Sequence, residues 1–179
     1  MKNLLFLLIF VSVPIFGQKY YTKTGITEFK ASVDTFEPIK AINNSTSVIL
    51  NVTTGDIASL LFVKAFNFRV GLMQEHFNEN YMDSDKFPKA TFRGAFEKFD
   101  FSKFSESTTY PLKGTLTIRG VEKNIKTTAT LSKKGNLIMM QATFIVSPED
   151  FQIKIPKIVR NKIAKTVNIY LDYVLVEKK

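Results

Sequence analysis

Apolar residues recur at every second position through most of this chain. A side-chain period of two is the mark of β-strands with one face turned to a core. Phe29, Ala31 and Val33 alternate with Glu28, Lys30 and Ser32, and Val48, Leu50 and Val52 alternate with Ser47, Asn51 and Thr53, with Ile49 as the exception. Further on, Ala90, Phe92, Gly94 and Phe96 face away from Thr91, Arg93 and Glu97. Leu112, Gly114, Leu116 and Ile118 form the next face, then Ile125, Ala129 and Leu131. Met140, Ala142, Phe144 and Val146 follow, and Val167, Ile169, Leu171, Tyr173 and Leu175 make the last.

Two segments break the rhythm. Residues 57–68 are apolar in both phases, with Ile57, Leu61 and Val63 on one side and Leu60, Phe62, Phe66 and Phe68 on the other. The pattern predicts one strand buried on both faces. Residues 70–81 pair Met73 with Phe77 at i, i+4, beside Leu72 and opposite Gln74, Glu75, Asn78 and Glu79, which predicts a helix. Thr54-Gly55-Asp56, Arg119-Gly120 and the stretch around Gly135 read as turns, and residues 100–110 as a Ser/Thr-rich loop. About eight strands, one helix and no βαβ rhythm predict an antiparallel all-β sandwich or closed barrel. No internal repeat or linker divides the chain, and 179 residues fit one domain.

The first 17 residues read as a cleaved secretory signal: Lys2, then a nearly unbroken apolar run over residues 4–13, then Gly17. That run is too short for a bilayer, which needs ~20 apolar residues. Cysteine is absent, which excludes thiol chemistry, disulfides and Cys-ligated metal. Export without cysteine favours a bacterial periplasm or exterior, with the mature domain over residues 18–179. Net charge is +9, and cleavage removes only Lys2. Such a charge keeps a protein soluble and draws it to anionic membranes; nucleic acid is a poor partner for an exported protein.

Nothing in the chain assembles into catalytic machinery. His76 is the only histidine, and its neighbours Glu75, Glu79, Asp83 and Asp85 make no recognisable metal or acid–base pattern. No phosphate-binding glycine loop or nucleophile elbow is present. We therefore expect a binding protein rather than an enzyme, without cofactor or metal.

Three segments together resemble the YceI-like family. The first is Phe66-x-Phe68, Leu72-Met73 and His76-Phe77 followed by Tyr81-Met82-Asp83-Ser84-Asp85-Lys86-Phe87-Pro88-x-Ala90-x-Phe92-x-Gly94. The second is Leu116-Thr117-Ile118-Arg119-Gly120-Val121-Glu122-Lys123. The third is Ala142-x-Phe144-x-Val146 with Asp150-Phe151-x-Ile153. The resemblance covers residues 25–176 and implies a lipocalin-like, eight-stranded antiparallel barrel with a helix at its side or mouth. It further implies an exported bacterial protein that holds a polyisoprenoid chain, such as a polyprenol or quinone tail, in an elongated pore. This chain departs from the family pattern at Val146-Ser147-Pro148-Glu149. It departs again before the last strand, where Lys154, Lys157, Arg160, Lys162 and Lys165 replace an often acidic stretch.

An eight-stranded barrel is just wide enough to be filled by side chains or to hold one slender ligand. Phe66, Phe68, Met73, Phe77, Met140, Phe144 and Ile169 are the residues expected to wall such a pore, with Phe92 and Phe96 as plain core. The run over residues 156–165 mixes Ile158, Val159 and Ile163 with Lys157, Arg160, Lys162 and Lys165, as an element touching anionic lipid would. The alternative is a dry-cored barrel acting through a protein partner or a homodimer, with the doubly apolar strand as its interface.

Overall fold

The alternating segments become extended strands in the computed structural model, which describes residues 18–32, 39–104 and 107–178. The expected signal over residues 1–17, and Val33, lie outside the described residues. In chain order the strands are β1 (Lys19–Ser32), β2 (Lys40–Asn51), β3 (Asp56–Phe62), β4 (Asn67–Phe68), β5 (Lys89–Phe96), β6 (Thr108–Ile118), β7 (Val121–Lys134), β8 (Leu137–Val146) and β9 (Ile163–Glu177). Neighbours pair antiparallel in the order β1-β9-β8-β7-β6-β5-β3-β2, and β1 pairs again with β2. That last pairing closes an eight-stranded barrel, so no full-length edge is left open. The two-residue β4 is an addition on the end of β2, with Ala41 opposite Phe68.

Residues 57–68 are not one doubly buried strand. A 3-10 turn over Val63–Ala65 ends β3 and rephases the chain. Phe62 therefore points outward and is 50% exposed, whereas Val63 and Phe66 are buried. The turn brings Phe66 and Phe68 to the same interior cluster as Leu61. The predicted helix is α-helical only in its first part: α1 spans Gly71–His76 and continues as a wider π-helical turn over Phe77–Tyr81.

A bulge also resets β1. Its register against β2 slips between Thr22 and Gly25, so the inward positions change parity from Tyr20 and Thr22 to Gly25, Thr27 and Phe29. Gly25 is needed there because a Cβ would meet the Tyr173 ring at 2.6 Å. The hairpin turn between β6 and β7 falls where the sequence places it, with Arg119 and Gly120 both at positive φ.

The interior has two different ends. Near the β1 N-terminus the barrel is packed solid by Tyr20, Leu50, Leu131, Ile138 and Leu175. The Ser/Thr-rich segment closes this end with aromatics that its polar composition hides. A 3-10 turn over Phe101–Lys103, started by the Asp100 side chain accepting from the Ser102 amide, carries Phe101 toward buried Phe104. Phe104 packs against Phe99, Phe101 and Tyr110 at ring separations of 5.2–5.8 Å. At the opposite end the lining loosens. On the inward face of β9, Tyr173 and Leu175 are buried while Val167, Ile169 and Leu171 are only half-buried.

Candidate functional site: an apolar cavity in one half of the barrel

The loosened end encloses a cavity of about 280 Å³. This lies at the lower edge of the ~300–1,000 Å³ common for small-molecule sites, and suits a slender occupant. The wall is built from the inward positions of β1, β3, β5, β6, β7, β8 and β9, so strand alternation alone aims the side chains at the lumen. His76 is exposed to solvent and also lines the cavity, so the cavity reaches the surface beside α1.

All seven side chains selected from the sequence lie on this wall: Phe66, Phe68, Met73, Phe77, Met140, Phe144 and Ile169. Four phenylalanines gather toward the mouth. The Phe77 ring centre is 5.3 Å from Phe29, 5.7 Å from Phe66 and 5.0 Å from Phe68, and Phe29 meets Phe66 edge-on at 5.1 Å. Phe29 and Phe77 stack with their planes 28° apart, while the other pairs are edge-to-face or tilted, arrangements that aromatic rings favour. Phe77 and Met73 reach this group from one helical face, as their i, i+4 spacing dictates.

Sequence reasoning missed several wall positions. Phe92 was assigned to plain core, yet it lines the cavity while also packing on the dry half. Its ring lies across a glycine pair, Gly94 opposite Gly114 on β5 and β6. A Cβ on Gly94 would meet the Lys113 carbonyl oxygen at 2.3 Å and Phe92 Cζ at 2.6 Å, and one on Gly114 would meet the Arg93 carbonyl oxygen at 2.3 Å and Phe92 Cζ at 2.7 Å. The two glycines thus give the ring its seat; Gly94 and Gly114 share the inward phase with Phe92, which is the signal that was available. Phe96 is plain core. Pro148 and Phe151, in a 3-10 turn after β8, and Ile153 and Ile155 beyond it also face the cavity. They sit outside any strand, where no period marks an inward side.

Two of the polar groups on the wall, Thr27 and Tyr173, are tied to each other. Thr27 Oγ1 lies 2.8 Å from Thr46 Oγ1 and 3.1 Å from the Tyr173 hydroxyl, deep where the cavity meets the dry core. Burial pushes the Tyr173 phenol up to about 12, against the smaller opposing pull of its bond to Thr27. Burial also raises Tyr81. Near the mouth, the Phe87 ring lies under the β6–β7 hairpin, where a Cβ on Gly120 would touch it at 2.8 Å, and the Arg119 guanidinium sits 5.7 Å from its centre. The Lys86-Phe87-Pro88 run thereby pins the return from the helix to that hairpin. Among the described residues no cluster of three His, Cys, Asp or Glu could hold a metal ion. No helix among them is long and apolar enough to cross a membrane.

Comparison with known proteins agrees with this architecture. A polyisoprenoid binding domain from Saccharophagus degradans, implicated in plant cell wall breakdown, superposes with a TM-score of 0.76 at 15% identity, covering 89% of this chain and 98% of that one. BcnA of Burkholderia cenocepacia gives 0.70 at 15% identity, over 84% of this chain and 96% of its own. The YceI protein of Campylobacter jejuni gives 0.60 at 15% identity, over 99% and 94%. At such identities the likeness establishes the fold. No curated protein matches the chain. The family model for the YceI-like domain, however, matches residues 12–175. Nearly the whole barrel falls within that match, and this chain belongs to the YceI-like family.

Proposed function

We propose that this protein is an exported, periplasmic binding protein that sequesters or carries an isoprenoid-type lipid, a polyprenol or a quinone tail, in its half-barrel cavity. The observation that carries this reading is the cavity itself: a narrow lumen walled by Phe, Met, Ile and Leu, open beside α1 and floored by a solid core. Apolar burial is worth ~25 cal/mol per Å², or ~0.8 kcal/mol per CH₂. A few isoprene units therefore bind well even after ordering costs, and no polar headgroup contact is required. The Phe29–Phe66–Phe68–Phe77 group supplies flat surfaces past which a branched chain slides. Phe66, Phe68, Met73, Phe77, Met140, Phe144 and Ile169 would be the contacting residues. The mechanism needs no acid, base or nucleophile, so the protein acts by binding and not by turnover.

The test is native mass spectrometry of the mature protein recovered from a bacterial periplasm, followed by organic extraction. A discrete adduct extracting as a polyisoprenoid is expected. A bare protein mass, with no uptake of added polyprenol or quinone, would discard the carrier reading.

A second reading keeps one specific support. Ile49, Tyr21, Val176 and Leu137 are register partners across β2, β1, β9 and β8. Ile49, Leu137 and Val176 are exposed on the outer wall, which a homodimer or a protein partner would cover. Sedimentation velocity across a concentration series separates a dimer from a monomer.

A further inference from the structure

We propose that the strap over residues 154–165 docks the open end of the barrel onto an anionic lipid bilayer, so that the cavity faces the membrane it loads from. This rests on the lipid-carrier reading and adds to it the surface that meets the donor.

The strap is the lip of the cavity. Ile153 and Ile155 on its incoming side and Ile163 on its outgoing side all line the lumen. Between them, a 3-10 turn over Lys157–Val159 carries the chain outward. Ile158 stands at its tip and is 85% exposed, the highest value among the exposed large apolar residues. An aliphatic side chain held in water next to a cavity mouth gains free energy by entering the acyl boundary of a bilayer.

The charges around it have one sign. Lys154, Lys157, Arg160, Lys162 and Lys165 are all exposed, and residues 151–171 contain no Asp or Glu. The ion pairs among the described residues use Lys40, Lys64, Lys103 and Lys113, so none of the five strap cations is neutralised by one. Five unpaired cations around one protruding isoleucine match an anionic headgroup layer, which adds its attraction charge by charge. A protein partner fits less well, since a single apolar tip is far below what a stable interface buries.

The other lip fixes the orientation. Leu72 on α1 is 59% exposed, and Met73 and His76 of the same helix line the cavity. That helix also bears Glu75 and Glu79, and Glu149 and Asp150 precede the strap. The electrostatic attraction is therefore concentrated on the strap side, and Leu72 supplies an apolar contact at the opposite edge.

The experiment is co-sedimentation of the mature protein with vesicles of phosphatidylcholine alone or with phosphatidylglycerol added. Polyprenol uptake in detergent micelles is measured in parallel. We expect binding to the phosphatidylglycerol vesicles that falls as salt rises. The combined Lys157→Gln, Arg160→Gln, Lys162→Gln, Lys165→Gln variant should bind more weakly by at least about tenfold. Ile158→Ser, which keeps every charge, should also weaken vesicle binding. Both variants should take up polyprenol in micelles like the parent, since none of these residues lines the cavity. Equal binding to both vesicle types, or variants that dock like the parent, would overturn the proposal. Micellar uptake by a parent protein that ignores vesicles would likewise overturn docking while leaving the carrier reading intact. Docking without uptake would uphold the surface and defeat the carrier reading.

Discussion

Tyr173 shows how one residue can serve both halves of the barrel. Its ring fills the space left by Gly25, and its hydroxyl meets Thr27 at the cavity floor. A tyrosine ordinarily titrates near 10, and burial holds this one at about 12. Below pH ~10 the phenol is neutral in both the folded and the unfolded chain, and its contribution to stability is constant. Between pH ~10 and about 12 the unfolded chain loses its proton while the folded chain keeps it, so stability falls, by up to ~3 kcal/mol. Thermal melts from pH 9 to 12 should therefore decline less steeply for Tyr173→Phe than for the parent. The same variant should be slightly less stable at neutral pH, by ~1 kcal/mol for the lost hydrogen bond. Parallel curves would mean the phenol is more accessible than its packing implies. At this scale the position of the wall side chains was legible, because strand alternation decides which way Met140, Phe144 and Ile169 point. Phe92 reaches the lumen by lying over two glycines on neighbouring strands; the pattern shows that all three face inward, but which strands pair is not in it.

At the scale of elements, the strands were readable and their interruptions were not. Residues 57–68 looked like one strand because a 3-10 turn adds a phase shift, and apolar residues on both sides of the shift mimic two greasy faces. The bulge in β1 hides for the same reason, in that Thr22 and Thr27 are both inward yet five apart. The plug of Phe99, Phe101 and Phe104 was lost among serines and threonines, since three aromatics spaced through a loop have no period. The β5–β6 glycine pair is an element-level device with a measurable consequence. Gly94→Ala forces a methyl against the Lys113 carbonyl and into the Phe92 ring and should cost ~1–3 kcal/mol, read as a lowered denaturant midpoint at unchanged slope. It should also reduce polyprenol uptake, since the displaced ring forms part of the cavity wall. An unaltered midpoint would show that both the ring and the β5–β6 backbone have room to move.

For the whole molecule, the solid core and the proposed lipid cavity lie at opposite ends. Phe104→Ala opens a hole in the solid end and should cost ~3–5 kcal/mol while leaving lipid affinity untouched. Phe77→Ala removes a half-buried ring from the mouth, should cost under ~2 kcal/mol, and should weaken uptake clearly. Calorimetry and lipid titration on the pair check this; a Phe104 variant that loses affinity would show that the ends are coupled.

The seam between β1 and β9 has a consequence for how the chain is made. Lys19 accepts from the Lys178 amide at 2.7 Å, and Tyr20 and Tyr21 lie opposite Glu177 and Val176. The barrel's first stave therefore waits for its last. Because β9 follows every other strand, the barrel stays open along this seam until β9 has emerged. Closing the barrel is thus a pairing between sequence-distant strands, and until it forms the phenylalanines that later face the lumen have no roof.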